Sequence, residues 1–168
     1  MQSDRTVLAE KLVQALTARN LTITTAESCT GGMIAASIVD ISGASACFNE
    51  GYITYSNEAK ERILGVPDEM IRSFGVVSGP VVKAMAEGAA KAASADIAVA
   101  VSGIAGPLGG TPAKPVGTVF LGVYRSARAG ADGREVCEAF EFHFEGDRSM
   151  VREQTVSISL QTVLDFLM

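Results

Sequence analysis

A chain of 168 residues with 48% hydrophobic side chains is long enough to bury one full core and short for two. A net charge of −5 and three cysteines without basic stripe or CxxC spacing argue against a polyanion-binding surface, a disulfide framework and a structural zinc site. The apolar stretches break before the roughly 20 residues of a membrane span, and the N-terminus lacks a signal-peptide core, so one cytoplasmic domain over residues 1–168 is expected.

Val7, Leu8, Lys11, Leu12, Ala15 and Leu16 recur at helical spacing and predict a helix over about 4–19. Leu21 to Ala26 reads as a strand, and Gly32 to Val39, apolar nearly all round, as a short helix buried against a sheet. A further strand is expected from Phe48 to Tyr55, where Tyr52, Ile53, Thr54 and Tyr55 are β-branched or aromatic. Asn57 is the expected N-cap of a short helix through Lys60 to Leu64, ended by Gly65-Val66-Pro67. Ser78-Gly79-Pro80 opens a longer helix with Val81, Val82, Met85, Ala89 and Ala92 on one face.

Asp96 to Ser102 is a continuous apolar run of the kind covered on both faces of a sheet. Gly103 to Pro115 holds four glycines and three prolines, which makes it a loop, and long loops in compact domains tend to carry function. Val116 to Arg125 returns to strand character and Arg128 to Arg134 marks a hairpin turn. Val136 to Glu145 then alternates, with Phe140, Phe142 and Phe144 on one face and Glu141, His143 and Glu145 on the other. Val151 to Leu167, led by Gly146-Asp147-Arg148-Ser149, is the closing helix. Helices between the early strands and a late hairpin predict an α/β fold, a three-layer α/β/α sandwich around a mixed, mostly parallel sheet.

The most chemically suggestive stretch is Thr24-Thr25-Ala26-Glu27-Ser28-Cys29-Thr30-Gly31-Gly32, which reads as strand, sharp turn and helix start. Ser28 sits where a hydroxyl can stand clear of the sheet beside amides that a first helical turn leaves unpaired; it also suits a plain turn or cap. A serine nucleophile needs a base, and the single histidine, His143, falls on the Glu-bearing face of the last strand. The base is then a lysine or a carboxylate. Tyr55-Ser56-Asn57-Glu58-Ala59-Lys60 puts a phenol and an ammonium near one strand end, although these residues by themselves favour Lys60 as a surface lysine on a charged helix beside Glu58, Glu61 and Arg62. A free lysine titrates near ~10.4, so a base at neutral pH requires burial or a neighbouring cation. Cys29 is a competing nucleophile, and Glu27 either orients Lys60 or balances local charge. Dispersed carboxylates give no metal motif, and no cofactor is expected.

Ordered blocks along nearly the whole chain resemble the CinA C-terminal family of nicotinamide-nucleotide amidohydrolases. They are Ala26 to Gly32, Thr54 to Lys60, Gly75 to Ser78, Ser102 to Pro107, Lys114 to Thr118 and Gly146 to Arg148. The resemblance implies Ser28 as nucleophile, Lys60 as general base and Tyr55 as a hydrogen-bonding partner. It implies a pocket formed with Ser102, Gly103, Ala105 and Gly106, and makes Arg148 a phosphate ligand. Amides from Thr30, Gly31 and Gly32 are the expected oxyanion donors. The implied reaction is deamidation of nicotinamide mononucleotide to nicotinate mononucleotide and ammonia; the alternative is a nucleotide-binding or regulatory module. A pyridine nucleotide is the expected partner, with no nucleic acid or membrane, and family and composition suggest a homo-oligomer. Leu108 departs from the small or polar residue, often Asp, familiar at that position.

Overall fold

The computed structural model describes residues 4–167. Five strands, β1 (Ile23–Glu27), β2 (Tyr52–Ile53), β3 (Ile97–Gly103), β4 (Thr118–Arg125) and β5 (Val136–His143), form one sheet in the order β2-β1-β3-β4-β5. β1 is parallel to both β2 and β3, whereas β4 runs antiparallel to β3 and to β5. Four strands therefore share one direction and β4 opposes them, as the expected mixed, mostly parallel sheet requires.

Alternation along the strands decides what each face holds. Ile97, Val99 and Val101 of β3, with Leu121 and Val123 of β4, meet α1 (Asp4–Ala18), α2 (Met33–Val39) and α6 (Arg148–Leu167) in one core. Ala26, Ala98 and Ala100 project from the other face towards α3 (Asn57–Leu64), α4 (Asp68–Phe74) and α5 (Gly79–Ala93). Small side chains on that face let α5 lie close, with Val81, Val82, Met85, Ala86 and Ala89 buried along it. Each large aliphatic side chain so buried contributes about 1.5–3 kcal/mol over exposure. The result is the α/β/α sandwich.

Several expected boundaries move. The strand expected from Phe48 to Tyr55 shrinks to β2, with Phe48 held by an isolated bridge to Ile23, because the Asn49-Glu50-Gly51 segment breaks the ladder. The N-cap of α3 is Ser56, whose hydroxyl accepts from the Ala59 amide at 3.1 Å, so Asn57 becomes the first helical residue. α4 and a short 3₁₀ turn at Ala44–Ala46 lie in segments that carried no prediction. Ala92 faces solvent instead of the core. α6 begins three residues earlier than expected, which puts Arg148 in its first turn.

The parallel strands end on one side of the sheet. β1 delivers Ser28 there, β2 the 54–56 turn and β3 the loop over residues 104–117, while β4 starts and α6 begins at the same edge. In open α/β sheets this carboxyl edge is where ligands bind.

Candidate active site

The turn after β1 is shaped from inside by Glu27. Its carboxylate, fully buried, accepts from the Thr30 hydroxyl at 2.6 Å, the Gly32 and Ile34 amides at 3.0 Å each, and the Ala35 amide at 2.8 Å. A negative charge at the start of α2 thus engages amides that a helix N-terminus leaves unpaired. Glu27 builds the seat of Ser28 and does not bond Lys60, which resolves its two sequence readings. Gly31 and Gly32 take φ of +59° and +101°, a turn conformation that a side chain would strain.

Ser28 and Lys60, 32 residues apart, meet in this seat. Lys60 Nζ stands 3.3 Å from Ser28 Oγ and also donates to the carbonyls of Thr54 at 2.6 Å and Tyr55 at 3.2 Å. Lys60 is 0% exposed and Ser28 9%. Burial, which disfavours the ammonium, lowers the Lys60 pKa to about 8. A neutral amine has two hydrogens and one lone pair. The two carbonyls can only accept, so they take the hydrogens and leave the lone pair to the Ser28 hydroxyl.

Competing nucleophile and base candidates fall away on the same grounds. Cys29 is buried, and that burial pushes its thiol up to about 11, far from thiolate formation at neutral pH. His143, exposed at the end of β5, lies 3.1 Å from Glu141 and 3.4 Å from Thr118 Oγ1, and bonds neither Ser28 nor Lys60. Among the described residues no group of three or more His, Cys, Asp or Glu side chains is placed to hold a metal ion.

The remaining expected residues take more specific places. Tyr55 is 63% exposed; its phenol accepts from Arg148 Nη2 at 3.3 Å, and only its backbone carbonyl touches Lys60. The hydrogen-bonding partner of the Tyr55 phenol in this structure is thus Arg148. Arg148 Nη1 donates to the Gly106 carbonyl at 2.9 Å, which ties α6 to the glycine loop and leaves further N–H groups at the rim. The Ser102 hydroxyl is buried and donates to the Val76 carbonyl at 2.8 Å, so it braces the 75–78 segment instead of lining the pocket. A Cβ on Gly103 would stand 2.7 Å from Val119 Cγ2, and Ala105 packs with Val119 and Val151. Leu108, 86% exposed, points to solvent.

The oxyanion donors also need correcting. Gly31 N–H donates to the Ser28 carbonyl at 3.1 Å and Gly32 N–H to Glu27, so of the three expected amides only Thr30's meets no acceptor among the described residues. Two side chains escaped sequence reading. Arg152 donates from Nε to the Cys29 carbonyl at 2.9 Å and from Nη2 to the Thr30 carbonyl at 3.1 Å. Lys114 Nζ reaches the Val77 carbonyl at 2.6 Å and clips the long loop to the 75–78 segment. Arg152 lies four residues after Arg148, one helical turn along the same face, which is the signal that could have found it.

A doubly covered α/β sheet with a buried serine and lysine at its carboxyl edge defines the class. Within that class the chain belongs to the CinA C-terminal domain family, whose model matches residues 5–167. It is 52% identical over 156 residues to "Nicotinamide-nucleotide amidohydrolase PncC" of Escherichia coli K12, covering 93% of this chain and 90% of that protein. A "Putative competence-damage inducible protein" of Symbiobacterium thermophilum is 46% identical over 99% of this chain but only 39% of its own length. Among solved structures, a competence or damage-inducible protein from Enterobacter asburiae superposes with TM-score 0.90 at 35% identity, covering 99% of this chain and 100% of that one. A competence/damage inducible protein from Agrobacterium tumefaciens gives 0.89 at 37% identity, covering 98% and 96%.

Proposed function

We propose that this chain is a serine amidohydrolase that deamidates nicotinamide mononucleotide to nicotinate mononucleotide and ammonia. The observation that carries the mechanism is the 3.3 Å approach of Lys60 Nζ to Ser28 Oγ, with burial lowering the lysine pKa to about 8. The substrate class rests on the relatives named nicotinamide-nucleotide amidohydrolase.

Ser28 Oγ attacks the carboxamide carbon as its proton passes to the neutral Lys60 amine. The oxyanion gathers at the Thr30 amide. Lys60, now an ammonium, returns that proton to the departing nitrogen; the C–N bond breaks and ammonia leaves. A nicotinoyl ester stays on Ser28. Water then attacks the ester, Lys60 takes one of its protons, and the proton goes back to Ser28 as the C–Oγ bond breaks. At the rim, Arg148 presents its free N–H groups to the phosphate, a geometry guanidinium satisfies in two places.

The same reading makes residues 1–168 one cytoplasmic domain, working as a homo-oligomer without nucleic acid or membrane. Among the described residues no helix is long and apolar enough to cross a membrane. The test is ammonia release from nicotinamide mononucleotide by the purified protein. Steady release, with nicotinate mononucleotide formed in equal amount, is the expected result. Saturable nucleotide binding without release would replace the enzyme by a binding module.

A further inference from the structure

We infer that Arg152 is a positioning residue that aims the Thr30 amide at the oxyanion; the inference rests on the serine-hydrolase reading above. The guanidinium of Arg152, half-buried on α6, donates to two successive carbonyls of the turn, those of Cys29 and Thr30. In a trans peptide the C=O and the following N–H point to opposite sides, and the cis bond in this structure lies elsewhere, at Gly106-Pro107. Holding the Cys29 carbonyl towards α6 therefore turns the Thr30 N–H away from Arg152. Holding the Thr30 carbonyl turns the Gly31 N–H the same way, where it closes on the Ser28 carbonyl at 3.1 Å.

The two amides then have different fates. Gly31 N–H is committed to shaping the turn, whereas the Thr30 N–H meets no protein acceptor among the described residues. It is fixed in direction before any substrate arrives, which is the property an oxyanion donor needs. Arg152 also lies beside Gly31, where a Cβ would stand in ordinary contact, 3.7 Å, with the guanidinium. Lysine cannot reproduce this, because one ammonium is a point donor while the guanidinium fork spans two carbonyls. Glu27 holds the turn from the α2 side and Arg152 holds it from the α6 side, so the nucleophile sits between two fixed anchors.

Two readouts test the inference. The first is the rate at which a fluorophosphonate labels Ser28, a reaction in which Oγ displaces fluoride from phosphorus and the P=O oxygen occupies the oxyanion position. It needs no nucleotide. Arg152→Ala should slow labelling, and kcat for ammonia release, by about 10²-fold, the scale of a lost oxyanion donor. KM should stay within about threefold, since ground-state binding does not use this amide. Arg152→Lys should give an intermediate rate, and guanidinium at a non-denaturing concentration should restore part of the Arg152→Ala loss. Labelling at the wild-type rate in either folded variant would overturn the inference, as would a loss confined to KM or melting temperature. A wild type whose Ser28 is not labelled would overturn it too. If Ser28 is labelled but no ammonia appears from nicotinamide mononucleotide, the substrate assignment fails, and the Arg152→Ala labelling rate still decides the role of Arg152.

Discussion

Lys60 shows how burial shifts a common surface residue towards the neutral amine that the proposed base role requires. At pH 7 a group with a pKa of about 8 is neutral about a tenth of the time, against far less for a free lysine. kcat/KM should therefore rise roughly tenfold per unit below pH 8 and level off above it, read from initial rates across a buffer series. The same shift has a stability consequence. The folded pKa lies below the unfolded ~10.4, so Lys60's own contribution to stability climbs with pH between about 8 and 10.4, while the buried thiols of Cys29 and Cys137, raised to about 11 and about 12, contribute in the opposite sense above about pH 9. The stability difference between wild type and Lys60→Met, which cancels the thiols, should therefore move in favour of the wild type as pH rises through that window in urea melts. On the proposed mechanism Cys29→Ala should keep most activity, because a thiol raised to about 11 stays protonated at neutral pH. Position alone made Ser28 and Lys60 candidates with plain alternatives, a turn residue and a surface lysine; the resemblance singled them out, and their burial and 3.3 Å approach are not carried by spacing along the chain. Arg152 was not legible, since a helix starting at Val151 hides its relation to Arg148 and leaves it looking like one more solvated charge.

Among the elements, α2 depends on a residue outside it. Glu27→Gln keeps the shape but replaces one accepting oxygen by a donor that faces amides, and unsatisfied buried groups cost about 1–3 kcal/mol each. Lower urea midpoint at unchanged m value, with weaker Ser28 reactivity, is the expected outcome. At the far side of the site, Gly103→Ala would push into Val119, and overpacking of that kind costs about 1–3 kcal/mol. A thermal melt checks it. Core strands and long helices were readable from apolar runs and helical spacing. α4 was not, because its seven residues, about two turns, carry Asp68, Glu69 and Arg72 behind Pro67, too little for a periodic signal. β2 was overread because β-branched and aromatic residues continue past the point where it stops pairing.

Across the whole molecule, one topological fact gathers the chemistry: strand ends, glycine loop and α6 start meet at the carboxyl edge of the sheet. Blocks separated by scores of residues in sequence become neighbours through Arg148 to Gly106, Ser102 to Val76 and Lys114 to Val77. Sequence could show the blocks but not these cross-braces, since spacing along a chain carries no distance between elements. Arg148→Ala should remove about 1.5–3 kcal/mol of binding, raising KM for nicotinamide mononucleotide roughly 10- to 100-fold while leaving the phosphate-free riboside unchanged. The most direct test of the whole account is ammonia release from nicotinamide mononucleotide by chelator-treated wild type beside folded Ser28→Ala and Lys60→Ala variants. The Ser28–Lys60 mechanism predicts full wild-type activity, a loss of about 10⁴-fold or more without the serine and about 10²–10⁴-fold without the lysine. Undiminished release by either variant would contradict it.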